Sequence, residues 1–568
     1  MKMKHLRPFR VWLVLVVLIS LVWGMMPAAA QDEPFPLPAP LYILTPDQAV
    51  VRIDPASGEQ TLLSPEGQPV ADFAIAPGGA WYAYRTSLNN AVIVAETAGM
   101  SGFVLAFDIP LAPENAAGQT IAWSPDAARL AYLVPDGVSI AELGAGEFGD
   151  AAIQQVGGAW VDLHWAGPDT LLAQDTGGQW HSIQPQNGTW AAVSVESEPP
   201  DPQPVIGSLG ANGVQMENGQ IVPGTAGARA FEWGPEPPPV VAGVPMPADL
   251  TYLAPDQSGV DQVWWLPQSG EPARMVTDSA GGVSAYAVAP GGAQIATIAG
   301  GQLVAARLDG SDRRELASLL TENTLPAVNW SHDGTQLAYH DQRGVWIVPA
   351  DGSQAPRLLL QSQFAEINTR VYLNPRWSPD GARLLVTIGF YEGAIQGVAD
   401  VATGAVTDLQ GVSSTRGRWI DDGRVLVWSA FYGYEVPGLY LLDPANPQAP
   451  PQTVLDESVP VVDVRQAGDG TWYVLAASSG GLGPQFLRLL AAPTLQGPFE
   501  RVYDGGGFAE GAQIVPPGDS TPAMMAGLRQ ASYVEGVLTG DLVVNDLRSG
   551  EQVQIAAPRP VHHVQWVN

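Results

Sequence analysis

The chain contains 568 residues, of which 57 are acidic and 26 basic, so its formal net charge is −31 at pH 7. A charge this negative is expected to repel nucleic acid and anionic membranes. Cysteine is absent and the only lysines are Lys2 and Lys4, which excludes thiol and Schiff-base nucleophiles, a phosphate-loop lysine and cysteine-bound metal from the rest of the chain.

The first 30 residues are organised like a secretory signal peptide. A basic start is followed by an apolar run from Val11 to Met26 and by small residues just before Gln31. An uncleaved anchor is the alternative, but the apolar run is shorter than the ~20 residues that span a bilayer. We therefore predict an extracytoplasmic or secreted protein with no membrane insertion after cleavage. An exported chain without cysteine fits a bacterial envelope.

Residues 31–40 are rich in proline and predict a stiff leader into the first strand at Leu41. From there on, a Trp-Ser-Pro-Asp-Gly string recurs in degraded copies between short apolar runs. Serine, proline and glycine suit the successive corners of a type I turn, so each copy is predicted to join two strands. The clearest copies supply the repeat residues Trp123 and Asp126; Trp330, Asp333 and Gly334; Trp377, Asp380 and Gly381; and Trp419, Asp422 and Gly423.

A second hairpin signature follows most copies, an aspartate that ends an apolar strand and a glycine shortly after it, as at Asp400 and Gly404. Each repeat of about 40 to 50 residues therefore predicts four short antiparallel strands. Four such strands cannot bury two apolar faces alone, and a closed ring of stacked units solves this problem. The predicted fold is all-β, a β-propeller of four-stranded blades with the motif tryptophans wedged between neighbours.

These motifs make the chain resemble the TolB-like, WD40-like (PD40) β-propeller repeat family, whose hallmark is Trp-Ser-Pro-Asp-Gly followed by a leucine-rich strand. The resemblance extends over most of residues 40–568 and is most specific in 329–442. It implies the propeller fold and no particular activity, because the repeat residues are structural and propellers host many unrelated functions.

The spacing of the motifs predicts about eleven or twelve blades, more than one ring usually holds. We favour two tandem propellers of five to six blades each, with one large ring as the alternative. The chain begins its first blade without a first strand and ends with a lone strand at 562–567. We expect this C-terminal strand to close the N-terminal blade, with propellers over 41–280 and 281–561. A proline-rich zone at 199–239 is compatible with a linker, a decorated loop or a degenerate blade, and we favour an irregular blade inserted with long loops.

Motifs for nucleophilic catalysis or metal binding are missing from the sequence. The strings nearest to Gly-x-Ser-x-Gly, at Ser284 and Ser520, lack the last glycine. On a strand, the adjacent His562 and His563 would point to opposite faces, and there is no His-Glu-x-x-His string or calcium loop. We therefore assign no catalytic residue, cofactor or metal ligand. Propeller enzymes can nevertheless assemble paired carboxylates from distant segments around the channel.

Aromatic residues in the loops of two neighbouring repeats are the strongest candidate for a binding surface. Loops between second and third strands are expected on the same rim as the connections between blades. Aromatic side chains there offer large, rigid contact area, although they could instead pack over their own blades. The candidate rim residues are Phe390, Tyr391, Phe431, Tyr432 and Tyr434, together with Phe364 and Tyr372 from the connection at 361–375.

From the sequence we expect a secreted, non-enzymatic binding or scaffold propeller that recognises a protein, a peptide or a glycan through one loop rim. A monomer is expected. The alternatives are an exported propeller enzyme, a glycan or peptide hydrolase or lyase with carboxylates at the central channel, and a purely structural envelope module. Converging channel carboxylates would favour the enzyme, whereas an exposed aromatic rim would favour binding.

Overall fold

In a computed structural model, every regular element of the described chain is a β-strand. No helix long and apolar enough to cross a membrane occurs in that part of the chain. The predicted signal peptide, most of the proline-rich leader and Asp126 lie outside it. The described residues are 37–79, 81–86, 90–97, 102–107, 118–125, 127–143, 151–196, 207–236, 238–321, 326–365, 369–391, 393–420, 422–430, 435–467, 470–477, 487–505, 513–515, 524–534, 537–546, 549 and 551–567.

The N-terminal unit consists of four antiparallel four-stranded sheets, blades 1 to 4, and a small hairpin. For each blade, the strands are given below in the order in which they are hydrogen-bonded, starting with the innermost strand. Blade 1 is Ala230–Trp233, Leu41–Leu44, Val50–Ile53 and Gln60–Leu62; blade 2 is Val70–Ile75, Trp81–Thr86, Ala91–Glu96 and Gly102–Ala106; blade 3 is Ile121–Trp123, Arg129–Val134, Gly137–Glu142 and Ala152–Gly157; blade 4 is Trp160–Gly167, Thr170–Asp175, Trp180–Gln186 and Thr189–Glu196; the hairpin is Ser208–Gly210 and Gly213–Gln215.

The C-terminal unit contains seven sheets, blades 5 to 11. They are, in the same order of strands, blade 5, His562–Trp566, Leu250–Pro255, Asp261–Leu266 and Arg274–Met275; blade 6, Val283–Val288, Gln294–Ala299, Gln302–Arg307 and Arg314–Ser318; blade 7, Ala327–Trp330, Gln336–Asp341, Gly344–Pro349 and Arg357–Gln361; blade 8, Val371–Trp377, Arg383–Phe390, Gly393–Asp400 and Val406–Ser413; blade 9, Arg416–Trp419, Val425–Ser429, Gly438–Leu442 and Gln452–Leu455; blade 10, Val461–Gln466, Trp472–Ala477, Leu487–Ala492 and Glu500–Gly505; and blade 11, Gln513–Val515, Met524–Val534, Val537–Asp546 and Gln552–Ile555, to which the linker strand Val240–Val241 adds in parallel.

Apolar clusters between adjacent blades close the C-terminal unit into a seven-bladed ring. Each cluster joins two neighbours, and the last one joins blade 11 to blade 5. Buried pairs that share these clusters are Val263 and Ile295, Ile298 and Leu337, Val345 and Leu384, Leu385 and Val427, Leu426 and Val474, Leu475 and Val543, and Leu542 and Leu250.

In the N-terminal unit, equivalent clusters link the hairpin to blade 1 and then blades 1 to 4 in order. Val214 of the hairpin shares a cluster with Leu41, and Tyr42 shares the next with Tyr82. Blades 2 and 3, and then blades 3 and 4, are joined in the same way. The two units therefore use one packing scheme, sheet face against sheet face, as in a β-propeller.

The second strand of a blade lies between its sheet partners and is covered on both faces by neighbouring blades. All six residues of Trp81–Thr86 and of Arg129–Val134 are buried. This double burial explains the continuous apolar runs after the turn motifs, which lack the alternation of a half-exposed strand. Outermost strands face solvent, and Gln60–Leu62 is exposed throughout.

The Ser-Pro-Asp-Gly turn is held by its own side chains. In blade 8, Ser378 Oγ donates to Asp380 Oδ1 at 2.5 Å and accepts from Arg383 N at 2.9 Å. Gly381 adopts φ +68°, a conformation in which side chains are strained, and its N–H donates to Ser378 O. Ser331, Asp333 and Gly334 repeat this network in blade 7.

Motif tryptophans bridge adjacent blades through their indole N–H. Trp330 Nε1 donates to Ala287 O at 3.0 Å, and Trp419 Nε1 donates to Arg376 O at 3.1 Å. In both cases the acceptor lies on the innermost strand of the preceding blade, as it does for Trp123 and Trp165 in the N-terminal unit. The ring therefore combines apolar burial with a directional contact at each of these junctions.

The strand pairing corrects how the units are closed. Gln565 and Trp566 pair with Thr251 and Leu250, so the C-terminal strand completes blade 5 and not the N-terminal blade. Blade 1 is completed by Ala230–Trp233, where Trp233 pairs with Leu41. The last strand of each unit therefore completes the first blade of the same unit.

The same pairing moves the boundary between the units. The predicted division at residue 281 falls between blades 5 and 6, whereas the chain passes from the N-terminal to the C-terminal unit between Trp233 and Leu250. The C-terminal ring also holds seven blades rather than five to six. The expectation is wrong because the proline-rich zone contains the lone closing strand Ala230–Trp233, which belongs to blade 1.

Candidate functional site

Four of the predicted rim residues lie around the loops at one end of blade 8. Phe390 ends the second strand, Tyr391 follows in the turn, and Phe364 lies in the connection that enters the blade. Their exposed fractions are 38% for Phe390, 77% for Tyr391 and 62% for Phe364. Tyr372, on the innermost strand, is partly buried. Phe431, Tyr432 and Tyr434, the predicted contribution of blade 9, lie outside the described residues.

Arg370 is the centre of this surface, and sequence reasoning missed it. Its guanidinium carbon lies 5.4 Å from the ring centroid of Tyr372 and 5.7 Å from that of Phe390. Its Nε donates to the Tyr372 hydroxyl at 2.8 Å, and its two terminal nitrogens donate to the two carboxylate oxygens of Asp408. The hydrogen bonds that Arg370 donates to Asp408 are the main reason why the pKa of Arg370 is raised. The cation is therefore fixed and permanently charged.

Hydrogen bonds hold together the two described ends of the connection that carries Phe364. Gln363 and Arg370 exchange both backbone hydrogen bonds at 2.9 Å, and Thr369 Oγ1 donates to Ala365 O at 2.5 Å. These bonds hold Phe364 near Arg370 before any ligand arrives. Pre-organisation of this kind reduces the entropy lost on binding.

Blade 7 has a second arginine stacked on an aromatic ring at the same end. Arg343 lies 4.5 Å from the ring centroid of Trp346 and donates from Nε to Asp341 Oδ2 at 2.8 Å. Trp346 Nε1 donates to the other oxygen of Asp341 at 2.9 Å. Burial alone would raise the pKa of Asp341, but its hydrogen bonds with Arg343 and other donors lower it overall.

The two arginine sites are linked through Ser362. The backbone N–H of Ser362 donates to Arg343 O at 2.9 Å, and its Oγ accepts from Tyr372 N at 3.1 Å. We call the surface formed by Arg343, Trp346, Phe364, Arg370, Tyr372, Phe390 and Tyr391 the blade 7–8 rim. It combines exposed aromatic area with two cations whose charges are balanced by aspartates.

The histidine pair of blade 5 differs from the expectation that the two rings point to opposite faces. Their centroids lie 4.9 Å apart, with 2.7 Å between the two Nδ1 atoms. His563 has φ +49°, and the pairing of its strand shifts register beside it, so the alternation of side chains is broken. His562 Nε2 also contacts Asp261 Oδ2 at 3.0 Å. Burial and His562 together lower the pKa of His563 to about 4.

The described residues contain no group of three or more histidines and carboxylates arranged to hold a metal ion. Among the described residues of the innermost strands of the seven-bladed ring, Asp463 is the one carboxylate, and it contacts Arg465 Nε at 3.1 Å. General acid and base catalysis of glycoside hydrolysis uses two carboxylates across the scissile bond. These inner strands supply one.

Neither a protein-family model nor a curated protein matches the chain. Among solved structures, it is similar to a putative TolB from Agrobacterium tumefaciens, with 13% identity over 56% of this chain and 99% of that one and a TM-score of 0.31. It is also similar to an oligogalacturonate lyase from Vibrio parahaemolyticus, with 10% identity over 55% of this chain and 86% of that one and a TM-score of 0.36. A third similar structure is TolB from Acinetobacter baumannii, with 13% identity over 57% of this chain and 67% of that one and a TM-score of 0.32.

The sheets themselves define the class of protein. Eleven sheets of four or five strands, each packed face to face on its neighbours, make the chain a β-propeller protein. The fold carries no activity by itself, so function has to be argued from the surfaces that the blades present.

Proposed function

We propose that the chain is an extracytoplasmic binding module that recognises a protein, peptide or glycan through the blade 7–8 rim. The observation that carries this proposal is the fixed guanidinium of Arg370 between Tyr372 and Phe390, beside the 77% exposed ring of Tyr391. An aromatic surface around a held cation offers stacking, hydrogen bonding and low entropic cost together.

Several features support binding over hydrolysis by paired acids. The described residues of the innermost strands include a single carboxylate, Asp463, and that group is paired with Arg465. The aspartates of the rim, Asp341 and Asp408, are each engaged by an arginine. A carboxylate held as an ion pair is a poor proton donor at neutral pH.

The proposed location rests on the N-terminal sequence, with its basic start, its apolar run and the small residues before Gln31. The acidic chain is proposed to act as a monomer without nucleic-acid partners. The resemblance of its turn motifs to the TolB-like, WD40-like (PD40) repeats is compatible with such a role and specifies no ligand.

The test compares capture of envelope proteins and polysaccharides by the immobilised wild-type protein and by the double variant Phe364→Ala, Tyr391→Ala. Both side chains are exposed, so the variant is expected to fold normally and to lose most of the captured ligand. Phe107→Ala is the matched control, because Phe107 is 67% exposed and directly follows the last strand of blade 2, away from the rim. Equal capture by the double variant and the wild type would refute a role for the rim.

A further inference from the structure

Three aromatic rings of the blade 7–8 rim are exposed near Arg370. The exposed fractions are 77% for Tyr391, 62% for Phe364 and 38% for Phe390. A ligand with a flat apolar face can therefore pack against them. A pyranose sugar has such a face, because C–H groups make up most of each side of its ring and the hydroxyls lie around the edge.

Polar groups suited to sugar hydroxyls lie beside these rings. The guanidinium of Arg370 donates to both carboxylate oxygens of Asp408, and the two side chains remain 29% and 31% exposed. Each terminal nitrogen of Arg370 carries two hydrogens, and the described residues accept one from each. The second hydrogens and the remaining lone pairs of Asp408 match hydroxyl groups, which both donate and accept hydrogen bonds.

The described main chain around the exposed rings is already hydrogen-bonded, which disfavours an extended peptide as the ligand. Gln363 and Arg370 exchange both backbone hydrogen bonds with each other. Phe390 pairs with Gly393 in the hairpin that carries Tyr391. An extended peptide gains much of its affinity from main-chain hydrogen bonds to an open strand edge. A sugar does not depend on such an edge, because side chains bind it.

The exposed aromatic area is small for a folded protein partner. An aromatic side chain can bury about 150–250 Å². The three exposed fractions therefore correspond to roughly 350 Å² of aromatic surface. A standard protein interface takes ~800 Å² from each partner. The aromatic surface of the rim is less than half of this area and suits a ligand of a few rings.

Charge favours a neutral sugar over an acidic one. Both arginines of the rim, Arg343 and Arg370, are paired with aspartates. In the sequence, Glu366 and Glu392 lie within two residues of the exposed rings. An anionic sugar would gain little from cations that are already paired, and acidic residues would repel it. A neutral sugar avoids both costs.

Building on the proposed binding function of the rim, we propose that its ligand is a neutral oligosaccharide of hexopyranose units. One sugar ring packs on Tyr391, and its hydroxyls bond to Arg370 and Asp408. Phe364 packs against another ring of the same sugar chain. Arg370 is held by its hydrogen bonds before the sugar arrives, which lowers the entropic cost of binding.

The test is binding of the full exported protein to immobilised hexasaccharides, followed by calorimetric titration of those that bind. Cellohexaose, maltohexaose and mannohexaose are the neutral probes, an alginate hexasaccharide is the anionic probe, and a proline-rich peptide represents extended peptides. Saturable binding of at least one neutral probe is expected. Its affinity should be equal at low and high sodium chloride, because salt screens charges only. If no neutral probe binds saturably, the proposal is wrong.

Tyr391→Ala should weaken the bound hexasaccharide about tenfold or more, because it removes an exposed packing surface. Tyr391→Phe keeps the ring and should weaken binding less. Phe107→Ala is the control and should bind as the wild type does, since Phe107 is also exposed but lies outside the rim. Wild-type affinity in Tyr391→Ala, or an equal loss in Phe107→Ala, would overturn the site.

Arg370→Lys tests the hydrogen-bonding part of the site, because lysine keeps the charge and loses the planar fork of donors. It should weaken the hexasaccharide several-fold, and the thermal unfolding midpoint reports whether the variant is folded. Wild-type affinity in a folded Arg370→Lys protein would refute the role of Arg370. If this variant does not fold, Tyr391→Ala still decides, since Tyr391 is largely exposed.

The outcomes separate the sugar from the binding role of the rim. If Phe364→Ala, Tyr391→Ala loses a protein or peptide that the wild type captures, and no neutral sugar binds, the sugar proposal is wrong and the proposed function stands. If the double variant captures everything that the wild type captures and no sugar binds, both are wrong.

Discussion

Trp419 and Arg376 hold each other's strands in a reciprocal contact between blades 8 and 9. The indole N–H of Trp419 donates to the main-chain carbonyl of Arg376 at 3.1 Å, while the guanidinium of Arg376 donates to Gly417 O, two residues before Trp419. Because each of the two strands both donates and accepts a hydrogen bond, neither blade can tilt without breaking a bond. The contact explains why a tryptophan, rather than another large apolar residue, suits this position.

Trp419→Phe is expected to destabilise the protein by about 1 kcal/mol, because it removes the indole donor while keeping most of the apolar contact. Trp377→Phe provides the control, since Trp377 is equally buried and its Nε1 has no hydrogen-bond partner among the described residues. Chemical denaturation of both variants measures the difference. A loss in Trp377→Phe as large as that in Trp419→Phe would show that packing alone matters.

Because a different strand completes the first blade of each unit, we expect the stability of the two units to depend on different tryptophans. Trp566 ends the strand that completes blade 5 and so closes the seven-bladed ring, and Trp233 ends the strand that completes blade 1 of the N-terminal unit. Trp566→Ala should cost about 3 to 5 kcal/mol in the unfolding of the ring, because Trp566 is buried. Trp233→Ala should act on the N-terminal unit.

Differential scanning calorimetry with limited proteolysis of each variant assigns the effect. The fragments released first should come from residues 250–567 in Trp566→Ala and from residues 37–233 in Trp233→Ala. Destabilisation of the N-terminal unit by Trp566→Ala would contradict the strand pairing described above.

The raised pKa of Glu232 is expected to make the protein less stable as the pH rises from weakly acidic to weakly basic values. Its side chain lies on the closing strand of blade 1 and accepts from Ile75 N at 3.0 Å, and burial raises its pKa from 4.5 to about 8. The folded state therefore retains a proton that the unfolded state has released, so stability is full below pH 4.5 and declines as the pH rises towards 8. Glu232→Gln should flatten this part of the profile, measured as the thermal midpoint against pH.

A second pH effect is expected on the acid side, from the turn aspartates. Hydrogen bonds from neighbouring serine or threonine hydroxyls lower the pKa of each below its ordinary value of 3.8, so their contribution to stability is present above that value and is lost as the pH falls. Denaturation at decreasing pH should show this loss in the wild type and equally in Glu232→Gln, whose change lies at higher pH. The aspartates concerned are Asp256, Asp309, Asp333, Asp351, Asp380, Asp400 and Asp456.

The blades were predictable because their signals are local. The turn at Ser378 to Gly381 is specified by residues that bond to one another within five positions, and the apolar run after it reports burial on both faces. The all-β propeller fold follows from such units and is confirmed by the sheets. The number of blades per ring depends on which lone strand pairs with which, and no local signal distinguishes Ala230–Trp233 from His562–Trp566 as the partner of Leu41–Leu44.

The candidate site was predictable only in part, for a similar reason. Exposed aromatic residues in a loop, such as Phe390 and Tyr391, are visible in the sequence. Arg370 becomes noteworthy only when Asp408, 38 positions away, is brought against it. The contact between His562 and His563 depends on a single positive φ, which reverses the expectation drawn from regular strand geometry.

Because each unit completes its first blade with its own last strand, the polypeptide is modular. Apart from the linker strand Val240–Val241, no hydrogen-bonded sheet in the described chain contains strands from both sides of the junction. A recombination event at this junction would exchange whole sets of blades without leaving a sheet half built. Each unit can therefore diverge towards its own ligand while the architecture of the other is inherited intact.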